Sequence, residues 1–118
     1  MEPVVLVIGL DPYRVPGPWD PTPVAAGIKT GMARFEQAGV GATTCLIGLD
    51  GSDDIPEVVT AAVRERPWRV VVVGGGVRHD LALFEQVINL VHRHAPGAAI
   101  AFNETPDGTY EAAARHME

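Results

Sequence analysis

The sequence predicts an α/β domain: a four-stranded parallel sheet of order 2-1-3-4, covered by helices on both faces in a three-layer sandwich. Three observations carry this. Short apolar runs alternate with segments whose apolar residues recur every three or four positions. The runs are continuous rather than apolar–polar alternating, as in strands buried on both faces. Two of them, Val4–Gly9 and Val70–Val73, are the most apolar, and so belong at the centre, side by side. Strand–helix alternation implies right-handed crossovers between parallel neighbours, and the order follows.

Each element has its own signal. Val4 to Gly9 opens the chain as the first strand. Pro23 to Ala38 reads as a helix with Ala25, Ile28, Met32 and Phe35 on one side, Thr22 as N-cap and Pro23 in the first turn. Thr43 to Leu49 is the second strand. Ile55 to Arg66 follows, with Ile55, Val58, Val59, Ala62 and Val63 on one face. Asp54 and Glu57 have capping-box spacing there, and Pro67 stops the helix. Val70 to Val73 is the third strand. A helix from about Asp80 to His94 presents Leu81, Phe84, Val87, Ile88 and Val91, and ends in His92, Arg93 and His94, cations suited to a helix C-terminus. Ala98 to Phe102 is a weaker fourth strand, and a short helix from about Gly108 to His116 closes the domain.

A chain of 118 residues fits one domain, 1–118, burying roughly two-thirds of its unfolded surface. Its net charge of −6 and dispersed basic residues argue against nucleic acid as a partner. The single cysteine, Cys45, excludes an internal disulfide framework and reads as a small buried hydrophobe. No apolar run reaches membrane-spanning length and the N-terminus lacks signal-peptide flanks, so a cytoplasmic protein without membrane attachment is expected.

In such a sheet, ligands bind beyond the carboxyl ends of the strands, where the strand order reverses. The loops expected at that end, "GLDPYRVPGPWDPT", "GLDGSDD", "GGGVRHD" and "NETPDG", carry acidic, aromatic and glycine-rich residues. Those at the other end are mostly turns and helix-ending cations. Gly74, Gly75 and Gly76 precede a helix and allow close backbone approach or positive φ, so they read as a cradle for a phosphate, carboxylate or oxyanion. Arg78 would add a donor fork and His79 a group titrating near neutrality. The competing reading is a tight strand-to-helix turn capped by Asp80. Neither the GxxxxGK[ST] nor the GxGxxG pattern is met.

The first of these loops, roughly Leu10 to Thr22, is long and proline-rich, as lids often are. Tyr13, Arg14 and Trp19 are its candidate ligand-binding residues; alternatively, Trp19 packs the loop down or meets a second subunit. Asp11, at the end of a central strand, is the candidate general base, or else an Asp-Pro turn. Asn103 is a candidate on the rim, among residues that also suit helix capping. Asp50, Asp53 and Asp54 lack a calcium-loop pattern, so no metal is expected.

The run Cys45–Gly76, "CLIGLDGSDDIPEVVTAAVRERPWRVVVVGGG", is similar to the second strand, helix and third strand of cobalamin-binding domains, and "DPYRVPG" echoes their DxHxxG loop. Tyr13 stands where their cobalt-ligating histidine would be, and the domain is a strand short. Receiver domains look similar in layout, but Gly74 stands where their phosphoryl-accepting aspartate would be. Flavodoxins carry a Ser/Thr-rich phosphate loop where this chain has prolines. The chain resembles small uncharacterised bacterial α/β proteins of flavodoxin-like or receiver-like layout, shortened by a strand. That resemblance implies architecture and no activity.

The functional expectation is a small-molecule enzyme or binder taking a small anionic or carbonyl-bearing molecule, without a resident cofactor. Asp11 or His79 would serve proton transfer, as in an isomerase or lyase. The alternative is a non-catalytic ligand-binding or interaction module, and a homo-oligomer is possible on either reading.

Overall fold

The computed structural model describes residues 2–117. Strands β1 (Pro3–Leu10), β2 (Gly41–Ile47), β3 (Val70–Val73) and β4 (Ala99–Phe102) form one parallel sheet of order β2-β1-β3-β4. The apolar runs predict this order. Five α-helices occur among the described residues: α1 (Thr22–Gln37), α2 (Ile55–Arg64), α3 (Gly75–Arg78), α4 (Leu81–His94) and α5 (Thr109–Ala114). Short 3-10 turns occupy Pro12–Arg14 and Pro106–Gly108.

Period-two alternation divides the core between the two faces of the sheet. Leu6, Ile8, Ile47, Val71 and Val73 pack under Val59 and Val63 of α2 and Val87 and Val91 of α4. Val5, Val7, Val70 and Val72 pack on the other face under Phe35 of α1 and Ala112 and Ala113 of α5. All four valines of β3 are fully buried, as a central strand requires. Each such side chain contributes about 1.5–3 kcal/mol relative to exposure. Trp68, just before β3, is buried too and donates its indole N–H to the Ala62 carbonyl at 3.0 Å.

Two caps form as the sequence predicts. Asp54 accepts from the Glu57 N–H at 3.2 Å and Asp80 from the Leu83 N–H at 3.1 Å. The first helix differs. Its N-cap is Pro21, Thr22 is already helical, and Asp20 accepts the Thr22 N–H at 3.0 Å. With Pro23 inside the first turn there is one donor fewer to satisfy, and an upstream aspartate serves one more. The triple glycine also differs. It enters a separate four-residue helix, α3, held down by the fully buried Val77, before Asp80 starts α4.

Backbones come into direct contact where α1 crosses the loop after β4. A Cβ on Gly31 would lie 2.2 Å from the Pro106 carbonyl oxygen, so only glycine permits that approach.

Candidate functional site

At the carboxyl ends of β1 and β3, on the α1 side of the sheet, lies a recess of about 350 Å³. Its origin is local. Val5, Val7 and position 9 point to the same face of β1, and position 9 is glycine. The side chain that would fill the gap beneath α1 is missing. The floor is Val7, Gly9, Thr44 and Leu46; the roof is Val24, Ile28 and Met32 of α1. The register Val7–Thr44 and Gly9–Leu46 puts these β2 residues on the same face. Gly74, Gly75, Gly76 and His79 make one wall, Asn103 to Pro106 with Thr109 another, and Leu10, Pro12, Val15 and Trp19 the mouth.

The recess therefore gathers Trp19, Gly74, Gly75, Gly76, His79 and Asn103 from the residues the sequence singles out. Trp19 is 38% exposed and its indole N–H donates to the Val15 carbonyl at 3.1 Å, which fixes the ring across the mouth. His79 and Glu104 are exposed at the rim. Asn103 is only 6% exposed: its amide donates to the Thr109 hydroxyl at 2.9 Å, and that hydroxyl donates to the Pro106 carbonyl at 2.7 Å.

Asp11, Tyr13, Arg14 and Arg78 do not line the recess. Asp11 caps the first 3-10 turn, accepting from the Tyr13 N–H at 3.0 Å and from Arg14 Nε at 3.0 Å. Tyr13 itself is 66% exposed. Arg14 joins the long loop to the one after β2: it donates to Asp53 at 2.8 Å, to the Ser52 hydroxyl at 3.2 Å and to the Leu46 carbonyl at 3.0 Å. Hydrogen bonds to Asp11 and then Asp53 hold its guanidinium above the ordinary value. Asp53 is held below the usual carboxylate range, chiefly by the Gly48 N–H at 2.9 Å and then by Arg14. Arg78 turns inward to the strand ends, donating to the Val73 carbonyl at 2.7 Å and to both the side chain and the carbonyl of Asn103.

None of the three glycines uses positive φ; that conformation occurs at Gly17, Gly39 and Gly51. One of the three acts by close approach. A Cβ on Gly76 would sit 2.8 Å from Leu10 Cδ1, whereas one on Gly74 would make an ordinary contact, 3.4 Å, with the Ile8 carbonyl oxygen. The Gly74 N–H is bonded to that carbonyl at 2.8 Å, while the first turn of α3 leaves the Gly75 and Gly76 N–H groups without an intrahelical acceptor.

Sequence reasoning missed the apolar floor and roof. Val24, Ile28 and Met32 carry the periodicity of an ordinary core-facing stripe, and Thr44 and Leu46 that of a strand. The signal available was Gly9, a gap in an otherwise bulky strand face. Cys45, on the opposite face, is buried, and burial raises its thiol pKa, in keeping with a core residue. No helix among the described residues is long and apolar enough to cross a membrane. Comparison of this chain with protein-family models, with curated proteins and with solved structures gave no match.

Proposed function

We propose that the protein binds a small, largely apolar molecule bearing a carbonyl or carboxylate in the recess beneath α1. The recess itself carries this reading. It lies at the strand-order reversal, where α/β sheets of this order bind ligands, and its volume is within the roughly 300–1,000 Å³ of small-molecule sites. Its surface is mostly aliphatic, which suits an apolar body. The Gly75 and Gly76 N–H groups and the Asn103 amide are suited to a hydrogen-bond acceptor at one end. The two arginines nearest by sequence are engaged within the protein, which favours a carbonyl or single carboxylate over a phosphate.

The reading is primarily one of binding, because the carboxylate expected to act as base, Asp11, is bonded to Arg14 away from the recess. His79 and Glu104, both on the rim, support a second reading in which the bound carbonyl compound undergoes proton transfer.

A thermal-shift and crystal-soaking screen with cyclohexanone, benzoate and short branched carboxylic acids tests both. Stabilisation of the wild type and its loss in Gly9→Val, which fills the floor, are expected. A ligand at 100 times its Kd stabilises by about 2.7 kcal/mol. If none of these compounds shifts the wild type, or if Gly9→Val binds them equally well, the recess is not the site. Deuterium exchange at the carbon next to the bound carbonyl, abolished in His79→Ala, would move the assignment to catalysis.

A further inference from the structure

We propose that a second copy of this chain docks against the α4/β4 edge, giving a two-fold dimer whose sheets meet at Ile100. Leu81 and Phe102, 75% and 40% exposed, are two of the four large apolar side chains left open to solvent among the described residues. They are not scattered. With Phe84, Ile88 and Ile100 they line a shallow groove of about 390 Å³ between α4 and the free edge of β4. A contiguous apolar groove beside a strand edge marks an interaction surface where a single exposed leucine would not.

The state of the edge selects the occupant. Among the described residues, β4 neighbours β3 alone. The Ala99 N–H donates to the Arg69 carbonyl at 3.0 Å, so alternation turns the backbone groups of Ile100 and Phe102 outward. At one end Arg115 already donates to the Phe102 carbonyl at 3.0 Å, and at the other the Ala98 N–H is bonded to the Ala95 carbonyl at 3.0 Å. Between them the N–H and C=O of Ile100 and the N–H of Phe102 remain. A peptide strand laid on this edge would leave groups of its own unbonded opposite the blocked Ala98 N–H and Phe102 carbonyl. A two-fold axis at Ile100 sets those two blocked groups opposite each other, while the two copies exchange both bonds at the Ile100 pair.

The same axis satisfies the groove. The Phe84 and Phe102 rings meet edge to face with centroids 5.7 Å apart, which sets the first turn of α4 beside Phe102 and places Ile88, about one turn on, beside Ile100. Rotation about this point lays the α4 helices antiparallel, with Ile88 against Ile88 of the second copy. Glu85 then faces the last turn of the other α4, where His92 and Arg93 lie. An acidic and a basic residue meet at both ends, and Leu81 is covered by the far end of the partner helix.

Sedimentation equilibrium on the full chain at tens of micromolar tests this, with circular dichroism as the folding control. The wild type should be a dimer. Glu85→Lys and His92→Glu should each weaken it by about tenfold or more, since like charges then face each other. The double variant E85K/H92E should restore it. A wild type that stays monomeric, a dimer indifferent to both single changes, or a double variant that fails to recover would each overturn the proposal. The outcome is independent of ligand binding in the recess.

Discussion

Arg78 holds Asn103 at two points, donating to its side-chain oxygen at 3.3 Å and to its backbone carbonyl, while a third bond reaches the Val73 carbonyl at 2.7 Å. The ends of β3 and β4 are thus tied by one guanidinium, and through Asn103 to Thr109 of α5. Removing it leaves several partly buried acceptors without a donor. Arg78→Ala should lower unfolding stability by about 2–4 kcal/mol. Arg78→Lys should recover only part, because a point donor cannot span the fork. Urea denaturation reads the change as a shifted midpoint with an unchanged slope.

Gly31→Ala tests the contact between α1 and Pro106. Alanine is the better helix former by about 1 kcal/mol. The added methyl would nevertheless lie 2.2 Å from a backbone oxygen that no side-chain rotation can move. The clash should prevail, with a net loss of about 1–3 kcal/mol by chemical denaturation. A stabilised variant would show that α1 is not seated as described.

The triple glycine should divide under the same substitution. At Gly75 the nearest atom to a new Cβ is the Arg78 guanidinium at 3.5 Å, an ordinary contact. Gly75→Ala should therefore be neutral or stabilising by up to about 1 kcal/mol. Gly76→Ala drives into Leu10 and should cost about 1–2 kcal/mol as that side chain is displaced. Thermal melts of the two variants side by side are sufficient.

Asp53 gives the protein an acid-sensitive joint. Its folded pKa is depressed by the Gly48 N–H and Arg14, so ionisation is favoured in the folded state. The stability it contributes is complete above the unfolded aspartate value and is lost as pH falls through the folded one, below about pH 4. Asp53→Asn removes that titration. Between pH 5 and pH 3, melting temperatures of the wild type should therefore fall more steeply than those of the variant.

Much of the fold was legible because strand identity here follows from bulk. Val4–Gly9 and Val70–Val73 have few alternatives to being central strands, and the order 2-1-3-4 follows from that. Helix α3 was not legible, because three glycines signal a turn, and a buried Val77 outweighs that only in the packed domain. The place of the recess could be read, since the strand ends fix it. The roles of the charged residues could not. Arg14 and Arg78 have the chemistry of ligand-binding groups, yet their partners, Asp53, Leu46 and Asn103, are distant in sequence and become neighbours only once the sheet forms, and Arg14 in turn holds Asp11. The apolar lining was hidden for the opposite reason: a residue facing a gap and one facing a neighbour have the same periodicity.

The Gly31–Pro106 contact gives α1 a fulcrum. From Gly31 back to Val24 the helix forms an arm about 10 Å long, and a tilt of about 10° at the contact would swing its tip by roughly 2 Å. The volume of the recess would then be governed by how steeply one helix leans, and a substitution at Gly31, which does not line the recess, would change that volume through Pro106, which does.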